Sequence, residues 1–153
     1  MAGMYDSIEI SASGLSAERM QMDVIANNIA NANTTRTPGG GPFKRQLVVF
    51  AQKDDPTQGP DGVDAFSPEA TGSGSTTAGV EAVGIAQDTS PDRLVFDPGN
   101  PDADPRGYVH YPNVEVVKEM VDMMSASRAY EANVSAIQET RAMGNAALNL
   151  LRS

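Results

Sequence analysis

The chain has 153 residues, a formal net charge of −9 and no cysteine. This length suits a single domain, and the lack of cysteine excludes disulfide bonds and thiolate metal sites. With 11 Lys and Arg against 20 Asp and Glu and no basic cluster, neither nucleic acid nor an anionic membrane surface is an expected partner.

Residue composition divides the chain into three parts. All eight Met lie in residues 1–22 or 120–143, whereas all ten Pro lie between Pro38 and Pro112. Proline is excluded from helix interiors because it lacks an N–H and clashes with the preceding turn. We therefore expect an α+β protein in which residues 1–35 and 113–153 form helices that pack as a coiled-coil layer. Residues 36–112 should form a small β-containing insertion.

The first helix is predicted from about residue 4 to Ala32, because apolar residues recur every seven positions. The repeating row consists of Ile8, Leu15, Met22 and Ile29, and the adjoining row of Met4, Ile25 and Ala32. Gly14 should weaken or bend the first third of this helix, since glycine costs about 1 kcal/mol relative to alanine.

The start of the chain does not read as a secretory signal. Asp6 and Glu9 stand where such a signal carries basic residues. No run reaches the roughly 18–20 apolar residues of a membrane-spanning helix. We therefore expect a chain that is not inserted in a membrane and that is cytoplasmic or exported by another route.

Four asparagines gather at the end of the first helix: Asn27, Asn28, Asn31 and Asn33. Their amides can cap and fray the last turn. They can also fix the register of a narrow apolar seam, as a buried asparagine does in coiled coils. The spacing leaves both interpretations open.

The middle of the chain contains four short runs of β-prone residues separated by turn residues. They lie at residues 43–52, 80–87, 93–96 and 108–111 and predict one small sheet of three or four strands. Residues 53–78 are rich in Gly, Ser, Thr, Pro and Asp. We expect this segment to be flexible until something orders it.

The second helix is predicted from Asn113, as its N-cap, to near Leu151. Its apolar row consists of Val116, Met123, Tyr130, Ile137 and Leu151, with a companion row of Met120, Val134 and Leu148. Val117, Val121 and Met124 form a second apolar stripe at its start. One partner helix cannot cover both faces, so the pattern predicts helices from further subunits.

Candidate catalytic and metal-binding residues are few. His110 is the only histidine, so a catalytic triad or a zinc-binding histidine pair cannot be assembled within one chain. Asp97, Asp102 and Asp104 could hold Ca²⁺ on a loop, but their spacing departs from the usual calcium loop and favours a turn. The sequence predicts neither an enzyme nor a cofactor. A free-standing helical adaptor and a small metal-dependent enzyme are the alternatives.

Several stretches of the sequence resemble motifs of a known protein family. Residues 13–17 (SGLSA) and 23–34 (DVIANNIANANT) resemble the basal-body rod signature of the axial proteins of the bacterial flagellum. Residues 35–45 (TRTPGGGPFKR), 93–104, 107–114, 119–123 and 125–133 are similar to the corresponding parts of a proximal-rod member. The resemblance covers both ends and most of the middle, leaving out chiefly residues 53–78.

The resemblance implies a shaft subunit that polymerises helically through its terminal helices and transmits torque for motility. Implied partners are proximal and distal rod subunits, copies of the chain itself, the protein joining the rod to the inner-membrane MS ring, and the flagellar type III export apparatus. The implied location is the periplasmic part of the basal body, reached without a cleavable signal peptide. The predicted assembly interface consists of Ile8, Leu15, Met22, Ile25, Asn27, Asn28, Ile29, Val116, Val117, Met120, Val121, Met123, Met124, Tyr130, Val134, Ile137, Leu148 and Leu151.

Overall fold

The fold consists of two long helices and four short strands, in a computed structural model that describes residues 2–53 and 79–152. The elements in chain order are α1 (Ala2–Ala30), β1 (Gln46–Gln52), β2 (Val80–Gln87), β3 (Arg93–Phe96), β4 (Tyr108–Tyr111) and α2 (Val116–Arg152). The predicted α+β class, with long terminal helices around a small β-containing insertion, is confirmed. The prediction of flexibility for residues 53–78 falls, apart from Lys53, outside the described residues.

The two helices pack antiparallel to each other. Asn28 of α1 donates a hydrogen bond to Glu119 of α2 at 2.9 Å, and Gly14 lies against Asn133. The two contacts are 14 positions apart in both helices, which is two heptads, so the same faces meet over that length. Ala126, midway between the two α2 contacts, is buried.

The face of α2 that meets α1 is a row of small and polar residues. It is the row Glu119, Ala126, Asn133 and Thr140, in which every member is at least half-buried. Of the predicted companion row, Met120 and Leu148 are exposed and Val134 is half-buried. Small and polar side chains in the contact row let the helices approach closely, and the larger apolar residues lie to one side.

The strands form two separate antiparallel ribbons instead of the single predicted sheet. β1 pairs with β2 from Gln46↔Gln87 to Gln52↔Val80, with a bulge between Val49 and Phe50. β3 pairs with β4 from Arg93↔Tyr111 to Phe96↔Tyr108. Pro91 lies between the ribbons and has no N–H with which to extend the first ladder toward β3.

The β1–β2 ribbon packs on α1. The backbone N–H of Val80 donates to Ser13 Oγ at 3.1 Å, and Gly79 is so close that a Cβ there would lie 2.3 Å from the same oxygen. The ladder continues one step past the strand ends, because the N–H of Lys53 donates to the Gly79 carbonyl at 2.8 Å. The chain therefore leaves and re-enters this ribbon at one point beside α1.

The start of α2 also differs from the prediction. The helix begins at Val116, and the N–H of Glu119 donates to the Glu115 carbonyl at 3.0 Å. Asn113 is therefore not the N-cap. Its side-chain oxygen accepts instead from the backbone N–H of Arg45 at 2.9 Å. Within residues 2–53 and 79–152, neither helix combines the length and apolarity that crossing a membrane requires.

Candidate assembly interface

An exposed apolar stripe lies at the start of α2. Val117, Met120, Val121 and Met124 are each more than half exposed, and their spacing of three and four residues places them on one helix face. The exposed stripe consists of the three residues of the predicted second stripe together with Met120, which the sequence pattern assigns to the companion row. An exposed contiguous group of large apolar side chains indicates an interaction surface.

The seven-residue apolar rows lie beside the contact between the helices. Ile8, Leu15, Met22 and Ile29 of α1 are half-buried, as are Val116, Met123, Tyr130 and Ile137 of α2. Each apolar row lies next to the contact row of its own helix. The packing of α1 on α2 therefore covers only one side of each apolar row. The rows and the stripe together form a wide apolar surface on α2, beginning at the contact with α1.

A buried polar cluster joins the end of α1 to the start of α2. Asn28 is almost fully buried; its amide donates to the Gln46 carbonyl at 2.8 Å and to Glu119 at 2.9 Å. Its side-chain oxygen accepts from the Gln46 N–H at 2.9 Å. Of the four asparagines, Asn28 is therefore the one that is buried between α1, α2 and the start of β1.

Arg45 neutralises the charge in this cluster. Glu119 is 0% exposed, and its carboxylate accepts from Arg45 Nε at 2.6 Å, while the Arg45 side chain is 14% exposed. A buried carboxylate persists only when it is paired and hydrogen-bonded. The Arg45 guanidinium also reaches Asp122 at 3.5 Å and Asp88 at 3.9 Å.

Asp88 is held by its own turn as well. The Ser90 N–H donates to Asp88 Oδ1 at 2.8 Å. Hydrogen bonds from Ser90, helped by the nearby Arg45 and Lys118 charges, lower the pKa of the Asp88 carboxyl from its ordinary value. Asp88 therefore stays ionised opposite Arg45 over a wider acid range than a free aspartate.

The neighbouring asparagines end α1. Asn31 donates its side-chain amide to the Asn27 carbonyl at 3.0 Å and to the Asn27 side-chain oxygen at 2.6 Å. Asn27 itself is exposed. The Asn31 side chain thus adds a second hydrogen bond to a carbonyl of the last turn, which already accepts from the Asn31 N–H.

The acidic loop between β3 and β4 uses its carboxylates separately. Asp97 accepts from the Gly99 N–H at 3.3 Å, and Asp104 accepts from the Arg106 and Tyr108 N–H groups at 2.8 and 2.9 Å. Asp102 accepts instead from the Thr35 hydroxyl at 2.8 Å. These bonds explain the loop as a set of turns. In the described part of the chain, no three acidic or histidine side chains converge as a metal site would require.

His110 is paired with a neighbouring carboxylate. Its Nδ1 lies 3.5 Å from Asp92 Oδ2, and Lys44 contacts the other oxygen of Asp92. This contact links β4 to the segments before β1 and β3. It supports a structural role for His110.

The predicted interface residues fall into three classes. Ile25 and Asn28 are buried within the chain. Half-buried residues are Ile8, Leu15, Met22, Ile29, Val116, Met123, Tyr130, Val134 and Ile137. Exposed residues are Asn27, Val117, Met120, Val121, Met124 and Leu148. The side chain of Leu151 lies outside the described part.

Known proteins similar to this chain are flagellar. Residues 8–36 match the family described as "Flagella basal body rod protein", and residues 106–150 match "Flagellar basal body rod FlgEFG protein C-terminal". The flagellar basal-body rod protein FlgC of Borreliella burgdorferi is 44% identical over 98% of this chain and 99% of its own length. The FlgC proteins of Bacillus subtilis and Salmonella typhimurium are each 39% identical and cover 95% and 92% of this chain. These matches span 97% and 92% of their own lengths.

The chain belongs to the FlgC family of flagellar basal-body rod proteins. As a member of the family it is a structural rod subunit and not an enzyme. Its location is the flagellar basal body, where it assembles with other rod subunits. The resemblance that the sequence motifs indicated is confirmed.

The matched regions of this rod subunit contain most of both helices and two of the residues that join them. The first match includes Asn28, and the second includes Glu119 and the apolar stripe. Sequence reasoning missed Arg45 and Glu119, although a signal was present. Glu119 is an acidic residue among Val116, Met120 and Met123, and such a charge requires a partner if its face is buried.

Proposed function

We propose that this rod subunit polymerises through the apolar surface of its terminal helices, with the exposed stripe on α2 as the principal contact to neighbouring subunits. The observation that carries the proposal is the exposure of Val117, Met120, Val121 and Met124 while Glu119, on the same turns, is fully buried. The intramolecular contact thus uses the polar row of the helix. The apolar face is left for other chains.

The energy available from this face is substantial. Fully burying one large apolar side chain contributes about 1.5–3 kcal/mol, and four such side chains stand together in the stripe. The half-buried rows beside the helix contact would add area on the same side. Contacts of this kind are individually weak, at about 0.1–0.2 kcal/mol per atom pair. Because they are numerous, staggered helices would spread torque over many subunits.

The proposed partners follow from the family and from this surface. We infer that the chain contacts copies of itself, the neighbouring proximal and distal rod subunits, and the protein that joins the rod to the MS ring. We also infer export through the flagellar type III apparatus without a cleavable signal, to the periplasmic part of the basal body. Family membership supports these partners. The width of the apolar surface supports more than one neighbour per helix.

The test uses the most exposed member of the stripe. Val117→Asp should leave the isolated chain folded, because Val117 is 69% exposed. It should prevent rod assembly, because a carboxylate would be desolvated at the subunit contact. Swimming and the yield of basal bodies would be measured in a flagellated bacterium that carries this chain in place of its own rod protein.

Val117→Leu is the matched control, because it keeps the site apolar and should preserve swimming. Export of both variants would be checked by following the chain outside the cytoplasm. Normal motility of a folded and exported Val117→Asp variant would contradict the proposed interface.

A further inference from the structure

At the start of α2, the contact row between the helices contains one hydrogen bond that bears on how α2 is rotated about its own axis, from the Asn28 amide to Glu119. Gly14 has no side chain, and Ala126, at the centre of the row, has only a methyl group. Large side chains normally set rotation by inserting between residues of the facing helix. The Asn28–Glu119 bond joins the helices at a single point, so a second contact outside the contact row adds the constraint on the rotation of α2 at its start.

Arg45 makes that contact from the side of β1. Its Nε is 2.6 Å from Glu119 Oε1, and a terminal nitrogen is 3.5 Å from Asp122 Oδ2. The two carboxylates are three residues apart, so they lie on adjacent turns of one helix side. One planar guanidinium that donates to both constrains the helix in a way that a single charge cannot.

The backbone of Arg45 is itself fixed. Its N–H donates to the Asn113 side chain at 2.9 Å, and its carbonyl accepts from the Asp88 N–H at 2.8 Å. Asn113 lies three residues before α2. The residue that accepts the Arg45 N–H therefore stands just ahead of the helix. The backbone that carries the guanidinium is therefore held at both its N–H and its carbonyl.

The exposed stripe lies on the far side of the helix from this contact. At 100° per residue, Met120 and Met124 are each about 160° around the helix from Asp122. The paired bonds from Arg45 to Glu119 and Asp122 (the clamp) therefore decide which residues of α2 point away from the protein. On the premise of the proposed function, those are the residues offered to neighbouring subunits.

We propose that Arg45 is a positioning residue that fixes the rotation of α2 and thereby sets the assembly face. The natural lack of cysteine allows paired nitroxide labels to be placed in the isolated full-length chain. One pair, Ala26→Cys with Met124→Cys, spans the helices beside the clamp. A second pair, Ala12→Cys with Ser135→Cys, spans them at the far end, and all four positions are exposed.

Electron–electron distance measurements should give one narrow distance for each pair in the otherwise unaltered chain. Arg45→Lys keeps the charge but cannot reach both carboxylates, so the Ala26–Met124 distance should broaden while the Ala12–Ser135 distance stays narrow. Asp122→Asn, at a partly exposed position, should broaden the same pair with less effect on folding.

The inference is overturned if the Asp122→Asn variant leaves the clamp-side distance unchanged. Broadening of both pairs together in that variant would also overturn it, since Asp122 would then only maintain the fold. Broad distances in the unaltered chain would show that the clamp does not hold a single chain. These distance measurements do not involve assembly. A distance result that overturns the role of Arg45 is therefore separate from the motility result, swimming by Val117→Asp, that would overturn the proposed interface.

Discussion

Gly14 of α1 lies directly against the side-chain amide of Asn133 in α2, so that a Cβ at position 14 would be 2.9 Å from Asn133 Nδ2. The sequence suggested that this glycine weakens the helix. In the structure α1 is continuous through it, and its role is to admit a side chain from the other helix. A residue that lowers helix propensity thus allows the close approach of the two helices.

Replacing Gly14 with leucine tests this role. We expect Gly14→Leu to lower the free energy of unfolding by about 1–3 kcal/mol, because the added side chain overpacks the contact. Urea denaturation of the isolated chain measures the change. Adding Asn133→Ala should recover part of the loss. If Gly14→Leu instead stabilises the chain by about 1 kcal/mol, as helix propensity alone predicts, the close-approach role is wrong.

Truncating Glu119 should be among the most damaging changes near the interface. Glu119→Ala leaves the Arg45 charge without its buried partner, which typically costs about 3–5 kcal/mol. Glu119→Gln should cost less, because an amide retains a hydrogen-bond acceptor for this cluster. Thermal and urea denaturation would compare both with Glu131→Ala, an exposed glutamate on the same helix. Equal stability of Glu119→Ala and Glu131→Ala would refute the buried pair.

Ile137 tests the half-buried row. Ile137→Asp should block rod assembly and swimming, because the charge would enter an apolar surface that, on the proposed function, neighbouring helices cover. Ile137→Leu should swim normally. Because Ile137 is already half-buried in the single chain, stability of the isolated variant must be measured alongside motility. A folded Ile137→Asp variant that swims would remove this row from the interface.

The turn before β4 should respond to acid. Hydrogen bonds from the Tyr108 N–H and then the Arg106 N–H lower the pKa of the Asp104 carboxyl from its ordinary value of 3.8. A lowered folded-state pKa stabilises the fold above the unfolded value, and this contribution is lost as the pH falls through the folded value. The protection of the Tyr108 amide against hydrogen exchange, taken relative to its intrinsic exchange rate at each pH, should therefore fall at low pH. In the Asp104→Asn variant, the Tyr108 amide should be less protected against exchange at neutral pH. Its protection should also depend less on acid.

The large features of the fold were predictable because they follow from periodicity and turn residues. Seven-residue spacing located both helices, and Pro and Gly located the boundary after α1. The separation of the strands into two ribbons was not predictable in this way. Strand pairing depends on where the intervening loops lead, and the turn at Asp88, which binds the Arg45 carbonyl, has no periodic pattern.

The interface was predictable in part for the same reason. The apolar pattern identified Val117, Val121 and Met124 as a second apolar stripe, which one partner helix could not cover together with the first, and all three are exposed. The pattern placed Met120 on a different row, because apolar spacing alone cannot show which row of α2 faces α1. That choice depended on Gly14 and on the charge of Glu119, whose partner Arg45 is 74 positions away in the chain.

The hydrogen bond between Lys53 and Gly79 has a practical consequence. Because the ladder closes there, β1 and β2 are already paired at the two points where the described chain stops and resumes. Changing the length of a connection between fixed ends alters the closure free energy only slowly, by roughly 0.6 kcal/mol per doubling. A peptide tag inserted between these ends should therefore leave the helix pair intact. This offers a site from which the subunit can be labelled and located in purified basal bodies.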